Sequence, residues 1–411
     1  MSLRSYIERG AVAVSASMLL MSATFSAGAA TLTIDALFQP NANKPNHNVF
    51  DNKTPPGNSY CGQHPTYCAP GTFSIGVPIT FRAASAIQPE HDVRQGAMFQ
   101  VPSYWKDVTV SHEVTGEQET VQIRVTGIGA AYFIRAPLTG GTWDSNWVYA
   151  PAPCQYGGVG YGNAYVYAFF WRVPEGAGVC AKQAFQPIPY DLSFAYRDLA
   201  FSYQLVTPNP LRMRSGTYRG QLTYGVGPHK DFDMGDVMVA NDDQIVLNFN
   251  LKVEHVLKVE IPPGGNRVEL VPQGGWQAWL NQGRKPARLF RDQTFNIYAS
   301  SRFKMKLECQ YEDLANNTCR VVDSASGRSA PLSISVSLPF GLTDALGQPV
   351  NRLPLRLDGA GTELFQPTQY LDRKPGTLHF AIERDAVNEM LQPNESGSYK
   401  GNVTVIWDSE F

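Results

Sequence analysis

Along most of the chain apolar residues recur at every second position in short runs, the spacing of strands with one buried face. Residues 31–38 (TLTIDALF) alternate in this way and read as a first strand. In residues 71–83, Phe73, Ile75, Val77, Ile79 and Phe81 line one face, and Pro78, which has no backbone N–H, marks an edge or a bend. Residues 107–114 and 119–129 alternate on either side of TGEQ, which predicts a hairpin. Residues 164–173 (AYVYAFFWRV) are almost uniformly apolar, as in a strand covered on both faces. Strands at 191–206 and 245–251 follow, and a second series runs from VLKVEIP (256–262) through ARLFRDQTFNIYAS, FKMKLECQYE, PLSISVSLPF and GTLHFAIE. Turn residues separate these runs, and DAVNEML (385–391) is the best helical turn. The expectation is all-β, two Ig-like β-sandwich domains covering 31–252 and 253–411.

One stretch occurs twice. SGTYRGQLTY from Ser215 returns as SGSYKGNVTV from Ser396, with Ser, Gly, Tyr, Gly and Thr in register, which marks two copies of one structural unit. The first copy is followed by the 245–251 strand; the second is followed only by IWDSEF. If both copies are late sandwich strands, the second sandwich lacks its last strand and is completed by a donor strand from another chain. Tyr399, Val403, Val405, Trp407 and Phe411 would border the groove. The alternatives are that both copies are ordinary interior strands, or that residues 31–38 are themselves a donor strand.

Composition narrows the setting. Residues 1–30 carry Arg4 and Arg9, an apolar stretch and Ala27-Gly28-Ala29, and read as a signal peptide cleaved near Ala30 or Thr31. No other run approaches the ~18 apolar residues of a membrane span, so an exported, soluble product without a transmembrane segment is expected. A charged fraction of 17% and a net charge of -2 offer nothing to nucleic acid or an anionic membrane. The six cysteines fall in three close pairs. They permit fifteen connectivities, and export with this clustering favours the local disulfides Cys61–Cys68, Cys154–Cys180 and Cys309–Cys319.

No catalytic constellation is present: the seven His form no HExxH pair, and neither GxSxG nor GxxxxGK[ST] occurs. GGVGYG (157–162) lacks the strand and helix of a dinucleotide loop and reads as a flexible loop. DFDMGD (231–236) gathers three carboxylates but lacks calcium-loop spacing, and reads as a solvated loop. No cofactor or metal is called for. The sharpest binding candidate is residues 143–161, where Trp143, Trp147, Tyr149, Tyr156 and Tyr161 alternate with Asp144, Asn146 and Gln155. Aromatic faces stack on sugar rings while amides and carboxylates hold hydroxyls; the competing use of these rings is core packing. Arg94, Arg124, Arg135, Lys182, Arg197, Arg212 and Arg214 are a second set of binding candidates.

With its G-x-Y-x-G and alternating apolar residues, SGSYKGNVTVIWDSEF resembles the carboxyl terminus of fimbrial subunits of the chaperone-usher route. The length and GTYRGQLTYGVGPHKDFDMGD narrow the resemblance to minor tip subunits of the alternate class, such as the cable-pilus initiator and colonisation-factor tip adhesins. It is firmest for 215–236 and 396–411 and only architectural for 31–206. It implies a non-enzymatic tip adhesin and initiator of pilus assembly, exported through the periplasm to the cell surface. Its partners would be a periplasmic chaperone, an outer-membrane usher, an adjacent pilin that donates a strand, and a host-surface receptor, a glycan by expectation; the resemblance implies that such a glycan is often acidic, which is what would single out the arginines and Lys182. Shaft pilins carry an N-terminal donor extension; here residues 31–38 lead directly into the first domain, which places the subunit at the fimbrial tip. The alternative is a secreted carbohydrate-active β-sandwich enzyme or accessory carbohydrate-binding module.

Overall fold

The computed structural model describes residues 29–138, 141–283, 285–392 and 397–409. The signal-peptide reading up to residue 28, and Phe411 of the groove, lie outside the described residues.

Two apolar cores organise the chain. The first is enclosed by β1 (Ala30–Phe38), β2 (Thr72–Gly76), β3 (Phe81–Ala83), β4 (Lys106–His112) and β5 (Gln118–Phe133). It continues with β6 (Gln155–Gly162), β7 (Val166–Arg172), β8 (Ala195–Val206), β9 (Gly216–Gly225) and β10 (Gln244–Val253). The hydrogen-bonded order is β3-β8-β5-β4-β9-β10-β1, with β2 on β8, and β7 joining β5 to β6. Strand alternation produces this directly: Ile245, Leu247, Phe249, Leu251 and Val253 of β10 all face the core while the residues between them look outward. Pro78 interrupts the run at 71–83, so β2 and β3 are separate strands on β8, yet Val77 and Ile79 between them remain buried. β7 is covered on both faces only at Phe169, Phe170 and Trp171, all buried, whereas Tyr165 and Val166 at the start of the apolar run 164–173 are exposed.

The second core lies between two sheets. One contains β11 (Leu257–Glu260), β12 (Leu289–Ala299), β14 (Thr318–Asp323), β15 (Ser329–Ser337) and β16 (Leu371–Ile382), ordered β11-β12-β16-β15-β14. The other places β13 (Phe303–Cys309) between the short strand Phe365–Pro367 and the last described strand. The second repeat copy divides between them: β17 (Tyr399–Lys400) pairs with β14, and β18 (Val403–Ser409) pairs with β13. The fold is all-β, with strands wrapped over both cores.

Three short α-helices interrupt this pattern: α1 (Tyr60–Gln63), α2 (Gly275–Gln282) and α3 (Arg384–Met390). The last matches the expected helical turn at 385–391. No strand or helix alternation announced α2; it begins and ends at glycines in the left-handed region, Gly274 and Gly283. Disulfides join Cys61 to Cys68 across α1, Cys154 to Cys180, and Cys309 to Cys319.

His255 ties the two cores together. Its Nε2 donates to the Met213 carbonyl at 2.9 Å, its Nδ1 lies 3.1 Å from the Ser300 hydroxyl, and its ring meets Phe38 edge-on. A carbonyl can only accept, so Nε2 carries a proton, while the Ser300 hydroxyl can take either role opposite Nδ1. Burial, with Arg302 acting in the same direction, holds the imidazole below its ordinary value of 6.5. Folding therefore favours the uncharged form, and the contribution of His255 is complete above that value and is lost as the pH falls through it towards the lower folded-state value. Urea unfolding of wild type and His255→Gln between about pH 7 and 5 should show the extra loss in wild type alone; parallel curves would show that His255 contributes nothing to the pH dependence.

Candidate functional sites: an open sheet edge and an aromatic cleft

The two repeat copies share a backbone constraint. Gly220 and Gly401 occupy the same place in each, and each passes close to a neighbouring strand. A Cβ would stand 2.4 Å from the Thr109 carbonyl oxygen in the first copy and 3.0 Å from that of Arg320 in the second. Gly216 and Gly397 are similarly crowded by His112 and Asp323. The recurring glycines thus reflect close strand approach.

Beyond this shared part the copies differ. β9 pairs along its length with β10, placing Tyr224 opposite Ile245, Leu222 opposite Leu247, Gly220 opposite Phe249 and Tyr218 opposite Leu251. β10 is covered in turn by β1, which runs parallel to it. β18 pairs with β13 from Val403–Cys309 to Ser409–Phe303, and among the described residues no strand pairs with its other edge. Burial follows the pairing: Tyr218, Leu222 and Tyr224 are 0%, 9% and 0% exposed, whereas their counterparts Tyr399, Val403 and Val405 are only half-buried. Trp407 is half-buried too, its ring 4.9 Å from Phe295 and 5.7 Å from Phe303. A row of unpaired backbone groups beside a half-open apolar row has the form of a groove for an extended segment.

The aromatic stretch at 143–161 divides in the structure, which corrects part of the expectation from sequence. Trp143 and Trp147 are 9% and 3% exposed and belong to the first core. Trp147 packs against Tyr132, Phe169, Trp171 and Phe194, and its carbonyl accepts the Trp171 indole N–H, so neither tryptophan has a face to offer a ligand. Tyr149, Tyr156 and Tyr161 are outside, each about half exposed. GGVGYG is also not a free loop: it forms most of β6, and a Cβ at Gly157 would stand 2.3 Å from the Phe170 carbonyl oxygen.

Most of the candidate basic residues serve the scaffold. The Lys182 side chain is buried; its Nζ donates to the Ser145 hydroxyl at 2.6 Å and the Asn146 carbonyl at 3.0 Å, pinning the segment that carries both tryptophans. Arg94 bridges Asp233 and Asp236 at 2.9 and 2.7 Å and holds the Asp236 carboxyl below its usual range. Asp233 also accepts the backbone N–H groups of His229 and Gly235, so the carboxylates of DFDMGD organise their own turn. Arg124 grips Gln204, and Arg214 pairs with Glu117.

α1 packs on β2 and β8, and β6 continues the sheet as the edge partner of β7. Tyr60 stacks on Phe170 with ring centroids 3.7 Å apart and donates its hydroxyl to the Gly157 carbonyl; burial pushes that hydroxyl up to about 12, so it stays a donor. Bordered by α1 and β6 runs a cleft of about 300 Å³. Ala131 of β5, Ala168 of β7 and Ala200 of β8 form its small-residue floor, while the Ala130 side chain belongs to the first core and the Phe170 ring covers Gly129. Tyr60, Gln63, His64 and Tyr161 form its walls, with Asn58 and Asp198 beside them. Asp198 sits at a register shift in β8, with φ +53° turning the backbone out of the ladder. A wider depression of about 450 Å³ lies at Glu90, His91 and Phe185, where His91 Nε2 already accepts the Ala184 N–H. Sequence reasoning reached Tyr161 but missed the rest of the cleft, because Ala positions on strands carry no periodic signal.

Fold and sites together define an all-β protein with two packed cores, one bordered by a strand whose outer edge has no partner among the described residues. No family model and no curated protein sequence matches the chain. Solved structures similar to it are chaperone-usher fimbrial tip adhesins. CfaE, the adhesive subunit of CFA/I fimbria of enterotoxigenic Escherichia coli, is 12% identical, with a TM-score of 0.25 over 93% of this chain and 95% of its own. A chaperone–tip adhesin complex of CFA/I fimbriae biogenesis gives 11% identity and a TM-score of 0.25 over 93% and 97%. The CsuC–CsuE chaperone–tip adhesion subunit pre-assembly complex, from archaic chaperone-usher Csu pili of Acinetobacter baumannii, gives 8% and 0.22 over 92% and 98%. Overlays this loose transfer no residue roles to this chain.

The division of the aromatics is directly testable. Trp147→Ala should cost about 3–5 kcal/mol in chemical denaturation, the range for emptying a large aromatic site in a core, while Tyr149→Ala should stay within about 0.5 kcal/mol. Similar values for the two would contradict their placement.

Proposed function

We propose that this chain is a fimbrial tip adhesin: an exported, non-enzymatic subunit whose second sandwich accepts a strand from the next pilin. The first sandwich carries a receptor-binding surface in this reading. The carrying observation is the contrast between β9, whose edge is closed by β10, and β18, whose edge is open beside the half-buried Val403, Val405 and Trp407. Backbone groups and apolar side chains left in this state invite pairing with another chain, and an inserted strand satisfies both at once. A periplasmic chaperone would hold the edge first, and an usher would exchange it for the pilin's strand.

Two further features favour this reading. β1 is committed to β10 over nine register pairs, Ala30–Ile245 to Phe38–Val253, so residues 31–38 act within their own sheet and are not a strand for donation. The close charged groups of the first domain, Arg94 with Asp233 and Asp236 and Lys182 with Asp144, hold loops in place, which suits a binding protein better than a catalyst.

The repeat supplies the test reagent. β10 shows what fits beside one copy, so a peptide of its sequence, QIVLNFNLKV, should pair antiparallel with β18 in the same register. At a hundredfold excess over its dissociation constant the peptide should stabilise the full chain by about 2.7 kcal/mol, read as a raised melting temperature. Val405→Asp, or a peptide with Asp in place of the residue matching Leu247, should abolish the shift. A chain that is monodisperse and equally stable without any added strand would overturn the reading.

A further inference from the structure

We propose that the cleft bordered by α1 and β6 is a binding subsite for one neutral sugar ring. The inference rests on the adhesin reading for its setting and gives the receptor a chemical class; its physical basis is the cleft alone. About 300 Å³ lies at the small end of ligand sites and suits a single ring rather than a chain laid lengthwise. The floor of Ala131, Ala168 and Ala200 brings a ligand close to the sheet, and it exists because these positions lack larger side chains. Tyr161, half exposed at the rim and edge-on to His64 at 6.1 Å, offers an aromatic face to the C–H side of a pyranose. Gln63 and Asn58 supply amide donors and acceptors for hydroxyls, and the exposed Asp198 carboxylate accepts from them.

Charge separates a neutral sugar from an acidic one. No Lys or Arg lines the cleft, and Asp198 stands at it with a negative charge. Arg197, the neighbour of Asp198, lies flat over the Phe133 ring at 3.8 Å, and Arg172 donates to the Tyr67 carbonyl at 2.8 Å. A sialic acid or sulfate entering here would meet a carboxylate and no lining cation, which disfavours it. This departs from the acidic glycan that the family resemblance implies for the arginines and Lys182. The α1 layer that forms the cleft is held by the Cys61–Cys68 disulfide, the Tyr60–Phe170 stack and the Ser59–Ser74 hydroxyl contact at 2.6 Å, so the walls are formed before a ligand arrives.

The test uses the full chain, capped with the β10-sequence peptide, against fluorescent N-acetyllactosamine and its sialylated and sulfated forms. The neutral sugar should bind at least tenfold more tightly than either acidic form. Ala131→Trp, which fills the floor, and Tyr161→Ala should each weaken binding at least tenfold; Tyr190→Ala, exposed and away from the cleft, should not. Gln63→Ala and Asp198→Asn alter exposed side chains, the second keeping a residue that tolerates positive φ, and should weaken binding without loss of folding. Preference for the acidic sugars, no binding of any of them, or binding undiminished in Ala131→Trp and Gln63→Ala would overturn the subsite. If the peptide still stabilises the chain in that case, the adhesin reading stands and only the cleft falls. Sugar binding by a chain that takes no peptide would instead uphold the subsite and overturn the strand-accepting role.

Discussion

Backbone N–H and C=O groups at the last strand of a sheet must find partners or face water, and the two repeat copies meet this demand differently. At β9 the chain supplies its own answer: β10 pairs along the strand, and β1 closes β10 from the far side. At β18 one ladder is complete and the other side has no partner among the described residues. The same apolar positions that are sealed in the first copy are half-open in the second. Because the two segments share sequence and the same close approach at Gly220 and Gly401, the difference arises from what lies beside them rather than from what they are.

A second consequence concerns the outer face of the first sheet. β7 carries Phe170 on its outward side, and α1 covers it through the stacked Tyr60 ring, while β6 extends the sheet beside it. A cover resting on a bulky ring at one point stands away from the sheet where the floor is Ala. That mismatch produces the cleft. The tryptophans of the neighbouring loop move inward for a related reason, since Lys182 and the Cys154–Cys180 bridge tie their segment down onto the core.

Much of this was legible in the residues. Alternation placed the 107–114 and 119–129 hairpin, uniform apolarity the strand within 164–173, and a helical pattern the turn at 385–391, because each is governed by contacts close in sequence or by one face meeting a core. Pro78 was legible as an interruption, and it separates β2 from β3. Burial of Trp143 and Trp147 was not legible, since a Trp among polar residues reads alike whether it packs or binds. The role of GGVGYG as a strand was hidden as well, because glycine carries no facing signal and its requirement comes from the Phe170 backbone across the ladder.

The sequence by itself determined the all-β character and the repeated unit, as properties set by local periodicity and residue identity. It also indicated where an edge would be short of a partner. Only the tertiary structure decided which aromatics are core and which are surface, that most of the candidate basic residues brace loops, and that a small-residue floor meets Gln63, Tyr161 and Asp198 in one cleft. Those outcomes depend on pairings between residues far apart in the chain, where the register of one strand against another settles which side chains meet.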